Sequence, residues 1–215
     1  MNKFLTLMMC IASIISGFSA AHQVDADMEN ILVSASLLPI TSKRSANAIT
    51  IIGSDQIKNR AVVSVSDLLR DVAGLAVSRS GVQGSQTQIR VRGGEANHLL
   101  VLIDGVEVNN PSQNDEFNWG NLVASDIERI EVIRGPQSSM LGSDAMAGVV
   151  NIITRSADQP LSTKIFSETG SFNTQNNGIS IGLKDGAFDM RLGISDLQTD
   201  GDNISRSGSE KDGYE

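Results

Sequence analysis

Cysteine is nearly absent: Cys10 is the only one in 215 residues. It falls inside an N-terminal stretch that reads as an export signal, so the mature chain has neither a disulfide framework nor thiol chemistry. Histidine is almost as scarce, with His22 and His98 alone, too far apart for a zincin pair. The one G-x-S-x-G string, Gly178-Ile179-Ser180-Ile181-Gly182, falls inside an alternating strand-like run and not at a strand-to-helix turn, so it is no nucleophile elbow. No glycine-rich loop has phosphate-cradle spacing ahead of a helix, which argues against nucleotide binding. Cations are outnumbered, 17 Lys and Arg against 25 Asp and Glu, giving a formal net charge of −8. With no basic patch interleaved with aromatics, that balance argues against nucleic acid as a partner. The chain is not short of core-forming residues, since 40% are hydrophobic and only 20% charged. One or two folded domains are expected.

Residues 1–21 carry a basic start at Lys3, an apolar run from Phe4 to Ile15, and small residues at Ser19 and Ala21. This is the pattern of a Sec signal peptide cleaved after Ala21. The apolar run is short for a membrane anchor. Met9 is too large to precede a lipoprotein cysteine at Cys10. Residues 22–47 form a polar extended segment with one apolar island, Ile31-Leu32-Val33, readable as an ordinary short strand.

From Ala48 the pattern sharpens. Ala48–Ile52 is β-branched, and Gly53-Ser54-Asp55 supplies a turn and an N-cap for a short helix near Gln56–Arg60. Ser64 and Asp67 have the spacing of a capping box for a second helix, with Val65, Leu68, Leu69 and Val72 on one face and Gly74 as its stop. Strands are expected at Leu75–Ser78, Gln88–Arg92, Leu99–Ile103 and Val106–Val108, the last two joined through Asp104-Gly105. Between Ile130–Ile133 and Val149–Thr154 lies a segment dense in turn formers, so these two runs should pair across a structured loop. After Arg155 the chain alternates, as in Ile179, Ile181, Leu183 and in Phe188, Met190, Leu192, Ile194, with Lys184-Asp185-Gly186 as the turn. Alternation gives strands with one apolar face, a property that soluble sandwiches share with membrane barrels.

Three stretches carry a resemblance. The order E-R-I-E-V-I-R-G-P-x-S-S-x-L-G-x-x-A-x-A-G-V-V-N-I-I-T within Ile127–Arg155 resembles the end of the plug domain of TonB-dependent outer-membrane receptors. I-R-V-R-G-G at Ile89–Gly94 and L-L-V-L-I-D-G-V at Leu99–Val106 match the same pattern in order and spacing. The resemblance implies an α+β plug domain at 48–155, a small mixed sheet with short helices. It is followed at 156–215 by the first antiparallel strands of a transmembrane β-barrel, truncated. Residues 29–35 within the 22–47 segment, Glu29, Asn30, Ile31, Leu32, Val33, Ser34 and Ala35, resemble the TonB box, with Asn30 where the family often has Thr. Such a segment would add a strand to a partner sheet.

The implied protein is a transporter gate and not an enzyme. It sits in the outer membrane of a Gram-negative bacterium, with TonB and its inner-membrane energising complex as partner. Cobalamin is the expected cargo, a ferric siderophore the alternative, and the barrel strands would meet outer-membrane lipid. A periplasmic peptide-binding or signalling module is the rival class. Apex loops contact ligand in this family, which makes Gln83, Ser85, Asn110, Asn114, Phe117 and Trp119 the candidate substrate contacts. Arg90, Arg92, Arg134, Glu128 and Glu131 read either as solvated strand faces or as plug charges facing a wet barrel lumen. The external loop at 198–215 resembles that of cobalamin receptors. Its carboxylates Asp200, Asp202 and Asp212 are candidate calcium ligands, and calcium is the only cofactor expected.

Overall fold

A computed structural model describes residues 48–157 and 159–201, together with the backbone of two short pairs at 32–33 and 40–41. In the first of these pairs β1 (Leu32–Val33) runs antiparallel to β2 (Ile40–Thr41). The signal peptide, Glu29, Asn30, Ile31, Ser34, Ala35, Asp202 and Asp212 lie outside the described residues.

The centre is a five-stranded mixed sheet. Its order is β3 (Ala48–Ile52), β8 (Ile127–Arg134), β9 (Gly148–Thr154), β6 (Leu99–Ile103) and β7 (Val106–Glu107). β6 and β9 are parallel, and every other neighbour pair is antiparallel. The expected reversal after Arg134 is present: Ile133 faces Val149, Val132 faces Val150, and the short helix α3 (Ser138–Leu141) occupies the loop between. Asp104 and Gly105 both take positive φ, 50° and 81°. A two-residue hairpin turn of the twist-matched kind requires this, and Asp-Gly supplies it at low cost.

Strands inside this sheet are buried on both faces, which is why Leu99–Leu102 reads as a continuous apolar run. One face, with Val101, Ile130, Val132 and Ile152, is covered by the helices and by the hairpin β4 (Leu75–Arg79)–β5 (Thr87–Val91). Helix α1 (Ser54–Arg60) contributes Ile57, and α2 (Val65–Leu69) contributes the fully buried Val65, Leu68 and Leu69. Each such side chain stabilises the fold by about 1.5–3 kcal/mol. The opposite face carries a smaller cluster of Leu100, Leu102, Ile133, Ala145 and Val149.

Local details depart from the sequence reading in three places. Helix α1 starts at Ser54 behind Gly53, which has no side chain to cap it. In α2 the Ser64 hydroxyl accepts from Ser66 N at 3.3 Å, while the Asp67 carboxylate is held by Arg79 at 3.0 Å, because a cation from β4 competes for the acid of the expected capping box. Gly74 does not stop that helix, which ends at Leu69; it turns the chain into β4 at φ 85°.

No helix among the described residues is long and apolar enough to cross a membrane. The apolar outer surface belongs to strands. β10 (Leu161–Gly170), β11 (Thr174–Asp185) and β12 (Phe188–Gln198) form an antiparallel sheet. Cross-strand rows Leu161–Leu183–Met190 and Ile165–Ile179–Ile194 stand on its exposed face. The alternate residues turn toward the plug. Lys164 Nζ donates to Ser125 O at 3.0 Å, Arg191 pairs with Asp126 at 3.5 Å, and Asp189 accepts from Ser156 Oγ and Ala157 N. The expected division of each strand into an apolar outer and a polar inner face is therefore observed.

Candidate functional site

Two loops, one from the β4–β5 hairpin and one from the central sheet, are brought together on one surface of the plug. The first, residues 80–86, joins β4 to β5. Along β5 the side chains of Thr87, Ile89 and Val91 point into the core, so Gln88 and Arg90 project outward. The second loop, residues 108–126, joins β7 to β8. Its start is fixed by Asn109, whose side chain accepts from Val101 N at 2.8 Å and donates to Leu99 O and Asp115 O at 3.0 and 2.7 Å. Asn110 then caps the turn Pro111–Gln113 by accepting from Ser112 N at 3.0 Å, and Asn114 and Asp115 reverse the chain with φ of 58° and 55°.

The loops are joined by polar bonds and one close approach. Gln88 Nε2 donates to Glu116 Oε2 at 2.6 Å, and Arg90 donates to Gln88 Oε1 at 2.8 Å. Asn118 Oδ1 accepts from Gly120 N at 3.0 Å and from Thr87 N at 3.5 Å. Gly120 lies so near the carbonyl oxygens of Gly84 and Ser85 that a Cβ there has no room. Between the loops is an open cleft of about 470 Å³ lined by Gln86, Gln88, Gln113, Asn114, Glu116 and Asn118. Five amides and one carboxylate line it, with no cation. Such a surface offers paired donors and acceptors to a neutral polar ligand, and its only formal charge is negative.

Of the candidate contacts, Asn114 lines the cleft, and Phe117 sits half-buried at a small adjoining recess. Trp119 does not belong to the surface. It is 2% exposed, packed in the same core cluster as Leu68, Ile89 and Val91, with Phe117 edge-on at 4.9 Å between ring centroids. The physical reason is that the loop needs an anchor, and a large apolar ring buried among α2 and β5 provides one. Asn110 faces solvent with its side chain engaged in its own turn. Gln83 and Ser85 are half-buried in the neighbouring loop. Sequence reasoning missed Gln86, Gln88, Gln113, Glu116 and Asn118. The outward phase of β5 was the available signal for Gln86 and Gln88.

The charged strand residues also need correction. Glu131 is fully buried and accepts from Arg129 Nε at 2.9 Å, so it faces neither solvent nor a lumen. Arg134 is half-buried and ties β8 to β3 and to the α2–β4 turn through Ala48 O, Thr50 Oγ1 and Ala73 O. Near the second loop, the Glu107 carboxyl is pushed above its ordinary value by desolvation, then by the hydrogen bond and charge of Asp144 and the charge of Asp115. Among the described residues no group of three or more His, Cys, Asp or Glu is arranged to hold a metal. Asp200 is described, with its backbone N–H donating to Phe172 O at 2.9 Å.

Comparison with known proteins places this arrangement. Residues 41–149 match the family model of the TonB-dependent Receptor Plug Domain. The vitamin B12 transporter BtuB of Vibrio vulnificus (strain CMCP6) is 33% identical over 159 residues, covering 74% of this chain and 26% of that protein. Among solved structures, the siderophore receptor PirA from Acinetobacter baumannii matches with TM-score 0.57 and 26% identity over 73% of this chain and 25% of that one. The ferripyoverdine receptor of the outer membrane of Pseudomonas aeruginosa shares the fold alone, with TM-score 0.65 and 15% identity over 79% of this chain and 22% of that one. The chain thus spans about a quarter of the length of these relatives. A mixed sheet with few helices, followed by antiparallel strands, is what the solved receptor structures share with it. The chain belongs to the TonB-dependent receptors, transport receptors of the Gram-negative outer membrane, and residues 41–149 are its plug.

Proposed function

We propose that this plug gates a receptor that takes up a corrinoid of the vitamin B12 class. The observation that carries the reading is the composition of the cleft: five amides, one carboxylate and no cation. A corrinoid presents a rim of neutral amides, which such a surface pairs with directly. A ferric catecholate is strongly anionic and calls for Arg or Lys at the contact. The 33% identity with the Vibrio vulnificus vitamin B12 transporter supports the same choice.

In this reading cargo settles on the two apex loops, and the Glu29–Ala35 segment is offered to TonB as an added strand. TonB then draws on inner-membrane energy to displace the plug. The exposed rows of Leu, Ile and Met on β10–β12 face lipid, and Lys164, Asp189 and Arg191 face the plug. The test is energised uptake of labelled cyanocobalamin by cells that depend on the receptor carrying this chain. Saturable uptake, competed by unlabelled corrinoid and not by ferric siderophores, is expected. Uptake of a ferric siderophore that cobalamin does not compete would overturn the cargo assignment.

A further inference from the structure

The seam between the plug and the first wall strands encloses a second cavity, of about 280 Å³. Its plug side is the end of α1 with the segments 61–63 and 123–125, and its wall side is β10 and β11. Three cations line it, Lys58, Arg155 and Lys164, against one carboxylate, Glu168. Lys58 stands at the exposed rim and lies 3.7 Å from Asp55. Glu168 is engaged by Asn176 Nδ2 at 2.9 Å.

Arg155 and Lys164 differ from the other two. Both are half-buried, and each donates to a neutral carbonyl: Arg155 Nη2 to Ile127 O at 3.3 Å, Lys164 Nζ to Ser125 O at 3.0 Å. Neither forms an ion pair among the described residues; of the two acids whose charge reaches Lys164, Asp126 is paired with Arg191 and Glu168 accepts from Asn176. Among the described residues, the buried Arg155 Nε has no hydrogen-bond partner. A neutral carbonyl returns only part of the hydration that a half-buried cation gives up. The Arg155 guanidinium and the Lys164 ammonium, which line one cavity, make the donor set that oxyanions use, a planar fork beside a point charge.

We propose that the seam cavity binds a phosphate-class oxyanion between Arg155 and Lys164. Arg155 belongs to the link that follows β9 and Lys164 to the first wall strand, so the anion joins plug to wall. The apolar lining from Ile57, Val62, Val123 and Phe166 leaves space beside it for a small organic substituent.

The experiment titrates the full chain with inorganic phosphate at low ionic strength, followed by phosphorus NMR and equilibrium dialysis. One saturable site is expected. Arg155→Met and Lys164→Met should each weaken binding about tenfold or more, the loss of one charge-assisted contact. Lys164→Arg should keep it within a few-fold, as should Lys58→Met at the rim. Emission from buried Trp119 checks that each variant is folded. Should a methionine variant fail that check, protection replaces it: phosphate should slow modification of Arg155 by phenylglyoxal in the unmutated chain, read by mass spectrometry. Competition by dimethyl phosphate would assign the site to a phosphodiester-bearing molecule, and its failure to free phosphate. Non-saturable binding, binding that survives both methionine substitutions in folded protein, or an unprotected Arg155 would each overturn the proposal.

Discussion

Gly120→Ala isolates the contact that holds the two apex loops together. An added Cβ would lie 2.8 Å from Gly84 O and closer still to Ser85 O. Both obstacles are backbone atoms, so no side-chain rotation relieves the clash. The 80–86 loop has to retreat or the Trp119–Asn121 turn has to lift, and overpacking of this kind costs about 1–3 kcal/mol. With a urea slope of about 2 kcal/mol per molar, a cost near 2 kcal/mol lowers the unfolding midpoint by about 1 M. Trp119 adjoins the substitution and is the chain's only tryptophan, so its fluorescence reports both the midpoint and the local change. Gly93→Ala is the control. That glycine has φ 81° with nothing within 4 Å of a built Cβ, so the substitution adds backbone strain of about 1 kcal/mol and leaves Trp119 untouched. A Gly120→Ala chain with the parental midpoint and unshifted emission would refute the claim that the loops are locked at this point.

Four further outcomes are expected. Glu131→Ala should destabilise the plug by about 3 kcal/mol by leaving the part-buried Arg129 with only the more exposed Glu128 as its acid, and Arg129→Met with Glu131→Leu should recover part of it, as read by urea unfolding. Glu107→Gln should be more stable than the parent at neutral pH and equal to it at low pH. A carboxyl raised in the folded state loses stability as pH rises above its unfolded value of 4.5, and the amide does not titrate; parallel pH–stability curves would count against this. Val33→Pro should abolish energised uptake while cargo binding persists, since proline removes a strand donor from β1; uptake at the parental rate would remove the TonB-box assignment. Asp200, Asp202 and Asp212 are proposed calcium ligands, so chelator and alanine at those positions should lower cobalamin affinity of the receptor, and indifference to both would end the idea.

The sequence made the backbone of the plug readable where local rules dominate. Asp104-Gly105 carries its turn type in two residues, and the β-branched runs flanking Gly135-Pro136 announced the β8–β9 pair. Side-chain environment was less visible, because it is decided by residues far away in the chain. Glu131 alternates with Ile130 and Val132 as a solvated acid would, and only the layer over that face buries it with Arg129. Trp119 sits amid asparagines and glycine, so its neighbourhood in sequence is polar while its neighbourhood in space is Leu68 and Ile89. The cleft itself unites Gln86 and Gln88 with residues about thirty positions later, a pairing that no local pattern encodes.

The order of the five strands also sets how hard β3 and β9 are to withdraw. β3, nearest the N-terminus, is an edge strand with β8 as its one neighbour. β9 is threaded between β8 and β6, and its last residues are held by Asp104, which accepts from Thr154 N and Oγ1 at 2.8 and 2.6 Å. Tension entering from the N-terminal side therefore meets an edge strand, held by one neighbour, before it reaches β9, which is held by two. Like adhesive tape, the sheet can be peeled from its β3 edge, while the strand that continues into β10 lies at its centre.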